Sequence, residues 1–281
     1  MQAAYETTGL SFLMDRSEGH PKVCIALIDG PADISHAIFR KDSFRLIGSG
    51  SCRVPSGSAC IHATYVASIL AGRRDSEVPG ICPYCSFLIR PIFHDMPVGQ
   101  PKTSATELAL AINDCVEAGA HIVLLTSSYI PGDPAGTSAL VRALDSAASR
   151  EMLLVAAAGN EGRVAGSPLT QHGGVIPVVA LAANGVPWQM TNLSTEMARK
   201  GVAAPGTGVR GLHPSGATLA GTSIAAPLVA GVLALLLSEF EGISPFQIRA
   251  SLVTHRPRSI VPSHLNGAEA HRRLRALTHY N

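Results

Sequence analysis

Val23-Cys24-Ile25-Ala26-Leu27-Ile28-Asp29-Gly30-Pro31 is apolar for six residues and then stops on a carboxylate, a glycine and a proline. A strand with one wet face alternates apolar and polar residues, so an unbroken run reads as a strand covered on both faces, as in a parallel sheet between helices. The same signature returns at residues 87–93, 122–126, 153–157 and 175–181. Between these runs, residues 106–118 and 138–149 carry apolar side chains at helical spacing, with Glu107, Asp114, Glu117, Arg142 and Asp145 on the other faces. The alternation implies an α/β fold in three layers, a mostly parallel central sheet covered by helices on both faces, with chemistry at the carboxyl ends of the strands.

Composition bounds the rest. A chain of 281 residues, 46% hydrophobic and 15% charged, can bury one large core, and no repeat, low-complexity tract or linker divides it. Residues 1–281 are therefore read as one domain, with residues 1–21 as an N-terminal extension. Lys plus Arg number 22 against 20 Asp plus Glu, a net charge of +2, which offers no field to gather nucleic acid or an anionic membrane. The longest apolar run, residues 224–237, contains Pro227 and Gly231 and reads as a buried helix rather than a membrane span. The first twenty residues mix Glu6, Asp15, Arg16 and Glu18 with short apolar patches and do not read as a secretion signal, so the expected compartment is the cytoplasm.

Gly221-Thr222-Ser223-Ile224-Ala225-Ala226-Pro227 stands directly before that apolar helix and places Ser223 at its N-terminus, where free N–H groups and the helix dipole favour a forming anion. Taken alone, Ser223 reads equally well as a helix cap. A nucleophilic serine needs a base, and the base an orienting carboxylate. Asp29 ends a buried strand, though in isolation it is an ordinary turn aspartate. His62 leads Ala63-Thr64-Tyr65-Val66, a helical pattern, and is one of 11 histidines.

The order Asp29, His62, Ser223, with Gly-Thr-Ser-x-Ala-x-Pro around the serine, resembles the subtilisin-like serine peptidases. Gly80-Ile81-Cys82-Pro83 resembles the loop before their next strand, Val155-Ala156-Ala157-Ala158-Gly159-Asn160 the strand that ends on an oxyanion asparagine, Ala204-Pro205-Gly206 a loop upstream of the serine, and Asn266-Gly267-Ala268-Glu269-Ala270 the start of the C-terminal helix. The likeness spans roughly residues 22 to 275. It implies Ser223 as nucleophile, His62 as general base and Asp29 as the carboxylate that orients it, with the Asn160 amide and the Ser223 N–H as oxyanion donors. It also implies that Ser127, Ser128 and Tyr129 pair with a peptide substrate, and that Ala157, Ala158 and Gly159 line a specificity pocket. Ser128 and Tyr129 stand where the family has leucine and glycine, and Ala63 and Tyr65 stand where it has glycine and a second histidine. No cofactor is implied, and no dense acidic loop asks for a metal.

Residues 29–36, 111–120 and 153–162 resemble the protease domains of cyanobactin maturation, the PatA and PatG types, which cut or cyclise ribosomally made precursor peptides. A precursor peptide is thus the expected partner, with room for another enzyme of the same pathway. The likeness leaves open a hydrolytic peptidase, a macrocyclase and an inactive peptide-binding fold. In PatG-type cyclases a helical insertion near the histidine shields the acyl intermediate. Here the span from Asp29 to His62 holds a strand-like patch at 44–47 and a Ser/Gly/Cys-rich loop at 49–60, and residues 73–87 supply no helix pair either, so a linear product is expected. The six cysteines do not form a disulfide framework, Cys52 and Cys60 lack zinc-knuckle spacing, and Cys82-Pro83-Tyr84-Cys85 reads as a structural loop with room for a bridge.

Overall fold

A computed structural model describes residues 2–52, 55–93, 103–127, 133–253 and 259–278. In chain order they form α1 (Gln2–Thr7), α2 (Leu10–Met14), β1 (Cys24–Asp29), β2 (Phe44–Leu46), α3 (Ser58–Ala71), β3 (Ser86–Pro91), α4 (Ala105–Glu117), β4 (Ile122–Leu125) and α5 (Pro134–Ser149). There follow β5 (Leu153–Ala157), α6 (Pro168–Gln171), β6 (Val175–Leu181), α7 (Thr195–Lys200), β7 (Val202–Pro205), α8 (Thr222–Glu239), α9 (Pro245–Leu252), β8 (Ser263–His264) and α10 (Gly267–Thr278). The strands make one sheet in the order β2-β3-β1-β4-β5-β6-β7-β8, and every pairing is parallel.

The unbroken apolar strands divide their side chains between two cores. Ile25, Leu27, Ile122, Leu124, Leu153 and Val155 enter the core shared with α3 and α8, whereas Ala26, Ile28, Val123, Leu125, Leu154 and Ala156 enter the one under α4 and α5. Residues two apart share a face, and both faces are dry, which is why polarity never alternates along these strands. Helix α8 is buried from Thr222 through Leu236. It is long and apolar enough to cross a membrane by length and composition. Its burial in the core accounts for that composition.

Several elements were hidden from a periodicity reading. Strand β7 includes Ala204 and Pro205, expected as a loop, and β8 has two residues. Helix α3 starts at Ser58, so Ala59 and Cys60 belong to it rather than to the preceding loop, and His62 follows its first turn. The N-terminal extension is part of the core: Leu10 and Leu13 are 0% and 1% exposed, and the Gly267 N–H donates to the Thr8 carbonyl at 2.7 Å. Arg74 donates to the Met14 and Ser17 carbonyls and thereby ties α2 to the turn after α3. The charge of Arg90, buried on β3, meets Asp114 at 2.6 Å and Glu107 at 3.0 Å, as burial of a cation requires.

A disulfide joins Cys52 to Cys60, with Cα atoms 5.5 Å apart, and Cys24, Cys82, Cys85 and Cys115 are free. The room for a bridge in the Cys82-Cys85 loop is unused. Backbone hydrogen bonds, Cys85 N–H to the Cys82 carbonyl and Cys82 N–H to that of Leu70, already close that turn.

Because Leu13 fills the main core, Leu13→Ala should cost about 2–5 kcal/mol in a chemical denaturation experiment. A loss below about 1 kcal/mol would show that the extension is detachable.

Candidate active site

The end of β1 brings a carboxylate to α3 by close backbone approach. A Cβ at Gly30 would come within 2.4 Å of the Ala59 carbonyl oxygen, so only glycine lets the chain after Asp29 lie against the first turn of α3. Asp29 is 2% exposed. Its Oδ1 accepts the Gly30 N–H at 2.6 Å, its Oδ2 accepts the Thr126 hydroxyl at 2.5 Å, and His62 Nδ1 lies 3.0 Å from Oδ1 and 2.9 Å from Oδ2. On the other side of the ring, His62 Nε2 is 2.9 Å from Ser223 Oγ. The carboxylate fixes the proton on Nδ1, which leaves Nε2 as the acceptor facing the hydroxyl.

Ser223 is the second residue of α8, and the cap is Gly221, so the reading of Ser223 as a helix cap does not hold. Its N–H falls among those that have no intrahelical acceptor. Pro227 lacks the N–H that would bond to the Ser223 carbonyl. Asn160 follows β5 beside this helix start. Its Oδ1 accepts both the Thr222 N–H and the Thr222 hydroxyl at 2.9 Å, and Thr222 Oγ1 in turn accepts the Gly159 N–H at 3.1 Å. A backbone N–H can only donate, so the atom facing it is the amide oxygen and the Asn160 NH2 is left for another acceptor. The arrangement can deprotonate a serine hydroxyl and offers N–H donors to an oxyanion.

The Subtilase family matches residues 21–272. The chain is a subtilase. It is 31% identical over 191 residues to a thermostable alkaline protease of Halalkalibacterium halodurans, covering 67% of this chain and 50% of that one. It is 29% identical to subtilisin DY of Bacillus licheniformis, with 82% of each chain covered. The chain spans about half to three-fifths of the length of the first curated relatives it matches. Among solved structures, a mutant of the protease domain of PatA superposes with a TM-score of 0.81 at 32% identity, covering 92% of this chain and 97% of that one. The prenylagaramide maturation protease PagA gives 0.81 at 31% identity, covering 95% and 98%. The PatG macrocyclase domain shares the fold, with a TM-score of 0.79 at 23% identity.

In this subtilase the remaining expected residues divide. Ser127 lies two residues beyond β4, and its hydroxyl is buried with no hydrogen-bond partner among the described residues. Ala157 and Ala158 are 8% and 6% exposed, where β5 leads to Gly159 and Asn160. Ser128 and Tyr129 lie outside the described residues. Ala63 sits in the helix interior at 0% exposure, where alanine serves as well as glycine. Two residues with a place in the site were missed. Thr126 supports Asp29 and Thr222 orients Asn160, and each was quoted only as a neighbour of something else. Thr126 owes its place to the parallel register, in which β1 and β4 pair Ile28 with Leu125 and so set Thr126 beside Asp29.

Burial pushes the His62 pKa down, but the charge of Asp29 and its hydrogen bond outweigh burial, and the net shift is upward from 6.5. A base must be neutral to act, so the acid limb of activity should lie above pH 6.5, with rate lost as pH falls through it. The sign for stability is opposite. The contribution is complete below the unfolded value of 6.5 and is lost as pH rises through the folded value. Asp29→Asn leaves burial unopposed, so its His62 ring should titrate below 6.5 by NMR. A ring still titrating above that value in the variant would remove Asp29 as the cause.

Proposed function

We propose that this subtilase is a serine endopeptidase that cleaves a ribosomally made precursor peptide, with residues 1–281 acting as one peptidase domain. The observation that carries the reading is the hydrogen-bonded series from the Asp29 carboxylate through His62 to Ser223 Oγ. Ser223 Oγ attacks the scissile carbonyl while His62 Nε2 takes its proton. The Ser223 N–H and the Asn160 NH2 hold the oxyanion. The tetrahedral species collapses as His62 returns the proton to the departing amine, leaving an acyl ester on Ser223. Water then adds with His62 again as base, and the peptide acid leaves with the serine restored. Ser127, Ala157, Ala158 and Gly159 form the near side of the substrate cleft.

PatA is a patellamide maturation protease and PagA a prenylagaramide maturation protease, which supports a precursor peptide as substrate. A ribosomal precursor is met in the cytoplasm, and a modifying enzyme of the same pathway is the natural partner. Hydrolysis and cyclisation share the acyl ester and differ in which nucleophile reaches it. Among the described residues between Asp29 and α3 there is β2 and no helix, and between α3 and β3 none. Water therefore meets no helical cover on these sides of His62, which favours a linear product.

Ser223→Ala should abolish labelling by a fluorophosphonate probe while circular dichroism stays unchanged. Undiminished labelling would reject Ser223, and an unlabelled parent protein would point to an inactive peptide-binding fold. Asn160→Ala should lower kcat by about 10²–10³ with little change in KM. A change confined to KM would make Asn160 a binding residue. Mass spectrometry of a precursor-derived peptide should find products whose summed mass exceeds the substrate by one water. A dominant product that lacks that mass and resists exopeptidases would identify a macrocyclase.

A further inference from the structure

Tyr65 stands where the family places a second histidine, and the mechanism gives it no part. It lies one turn after His62 on α3, with 0% of its surface exposed. Its hydroxyl donates to the Val209 carbonyl at 2.6 Å and accepts the Leu219 N–H at 3.2 Å. Both partners belong to the loop that leaves β7 and delivers Ser223 at the head of α8. The same loop passes over the ring at Gly211, where a Cβ would come within 2.5 to 2.7 Å of ring carbons, so backbone lies directly on the aromatic face. One turn further along α3, Ser68 Oγ accepts the Leu212 N–H at 2.8 Å and donates to the Tyr65 carbonyl at 2.7 Å. The loop closes on itself through the Gly221 N–H and the Gly206 carbonyl, 2.9 Å apart, two residues before Ser223.

The helix that carries the base thus also holds the segment that delivers the nucleophile, at 209, 212 and 219. We infer that Tyr65 is a positioning residue for this reaction: by clamping the β7–α8 loop to α3 it sets the separation of His62 and Ser223. Ser68 adds one bond to the same loop, whereas Tyr65 supplies two. The hydroxyl spans two backbone groups of opposite hydrogen-bonding sense, which no apolar side chain can do and which leaves neither group orphaned. Burial raises the phenol above its usual pKa, so it remains a donor to Val209 across the working pH range.

Tyr65→Phe keeps the ring and removes the two hydrogen bonds. A nucleophile displaced by a fraction of an ångström loses rate without losing substrate contacts, so kcat on p-nitrophenyl butyrate and the rate of fluorophosphonate labelling should both fall about 10- to 100-fold, with KM within about twofold. Measurements are made well below the variant's melting temperature, where all of it is folded. A lower melting temperature with labelling within about threefold of the parent would reduce Tyr65 to a structural residue and overturn the inference. Should Tyr65→Phe fail to fold, Ser68→Ala, which removes the Leu212 acceptor and the donor to the Tyr65 carbonyl but keeps both bonds of the Tyr65 hydroxyl, tests the same clamp on the loop. Slowed labelling with unchanged KM supports the clamp, and unslowed labelling overturns it. The inference rests on Ser223 as the labelled nucleophile. Labelling that persists in Ser223→Ala rejects that assignment and the inference with it, whereas full labelling in Tyr65→Phe rejects the inference alone.

Discussion

A carboxylate 2% exposed at the end of β1 sets the terms for everything around it. Removing such a charge from water is costly unless its lone pairs are taken up, and here a backbone N–H, a threonine hydroxyl and an imidazole N–H take them up. Each donor comes from a different element: the turn after β1, the end of β4 and the second turn of α3. Satisfying Asp29 therefore fixes where three pieces of the fold meet. The ring it orients then points its free nitrogen at the head of α8. Glycine at position 30 is the steric counterpart, because the approach of Ala59 leaves no space for a side chain.

What the sequence exposed and what it concealed follow from range. Strands such as 122–126 and 153–157 declare themselves because burial on both faces excludes polar residues from consecutive positions. Asp29, His62, Ser223 and Asn160 stood out because each adjoins a local signal: a strand end, a helix start, a glycine. Thr126 and Thr222 carry no such mark. Their roles arise from which strand lies beside which and from the fold of one turn against another, information that no window of neighbouring residues contains. Short elements were lost for a related reason. β8, at two residues, is too brief to show a period, and α2 is held by α8, α10 and Arg74, with α1 packed on α2, rather than by local propensity. The Cys52–Cys60 pairing likewise depends on how α3 begins, which composition did not reveal.

The departures from the family pattern around His62 fall on the buried side of α3. Ala63 and Tyr65 face the core, and Tyr65 reaches the loop before Ser223. Sequence change there alters how two segments are held together rather than which groups meet the substrate. A degenerate motif can in this way accompany an intact array of reacting atoms.

The place of Ser223 on α8 has a consequence in time. His62 and Ser223 meet across 161 residues of chain, and α8 is apolar on every side, so it has no position of its own until the sheet and α3 are there to receive it. During synthesis Asp29 and His62 leave the ribosome long before the serine does, and a polypeptide that stalls or is clipped ahead of Thr222 contains no reactive centre. For the proposed peptidase, cleavage would therefore have to wait until α8 has been made and packed against the sheet and α3, which would spare the emerging polypeptide from premature cleavage.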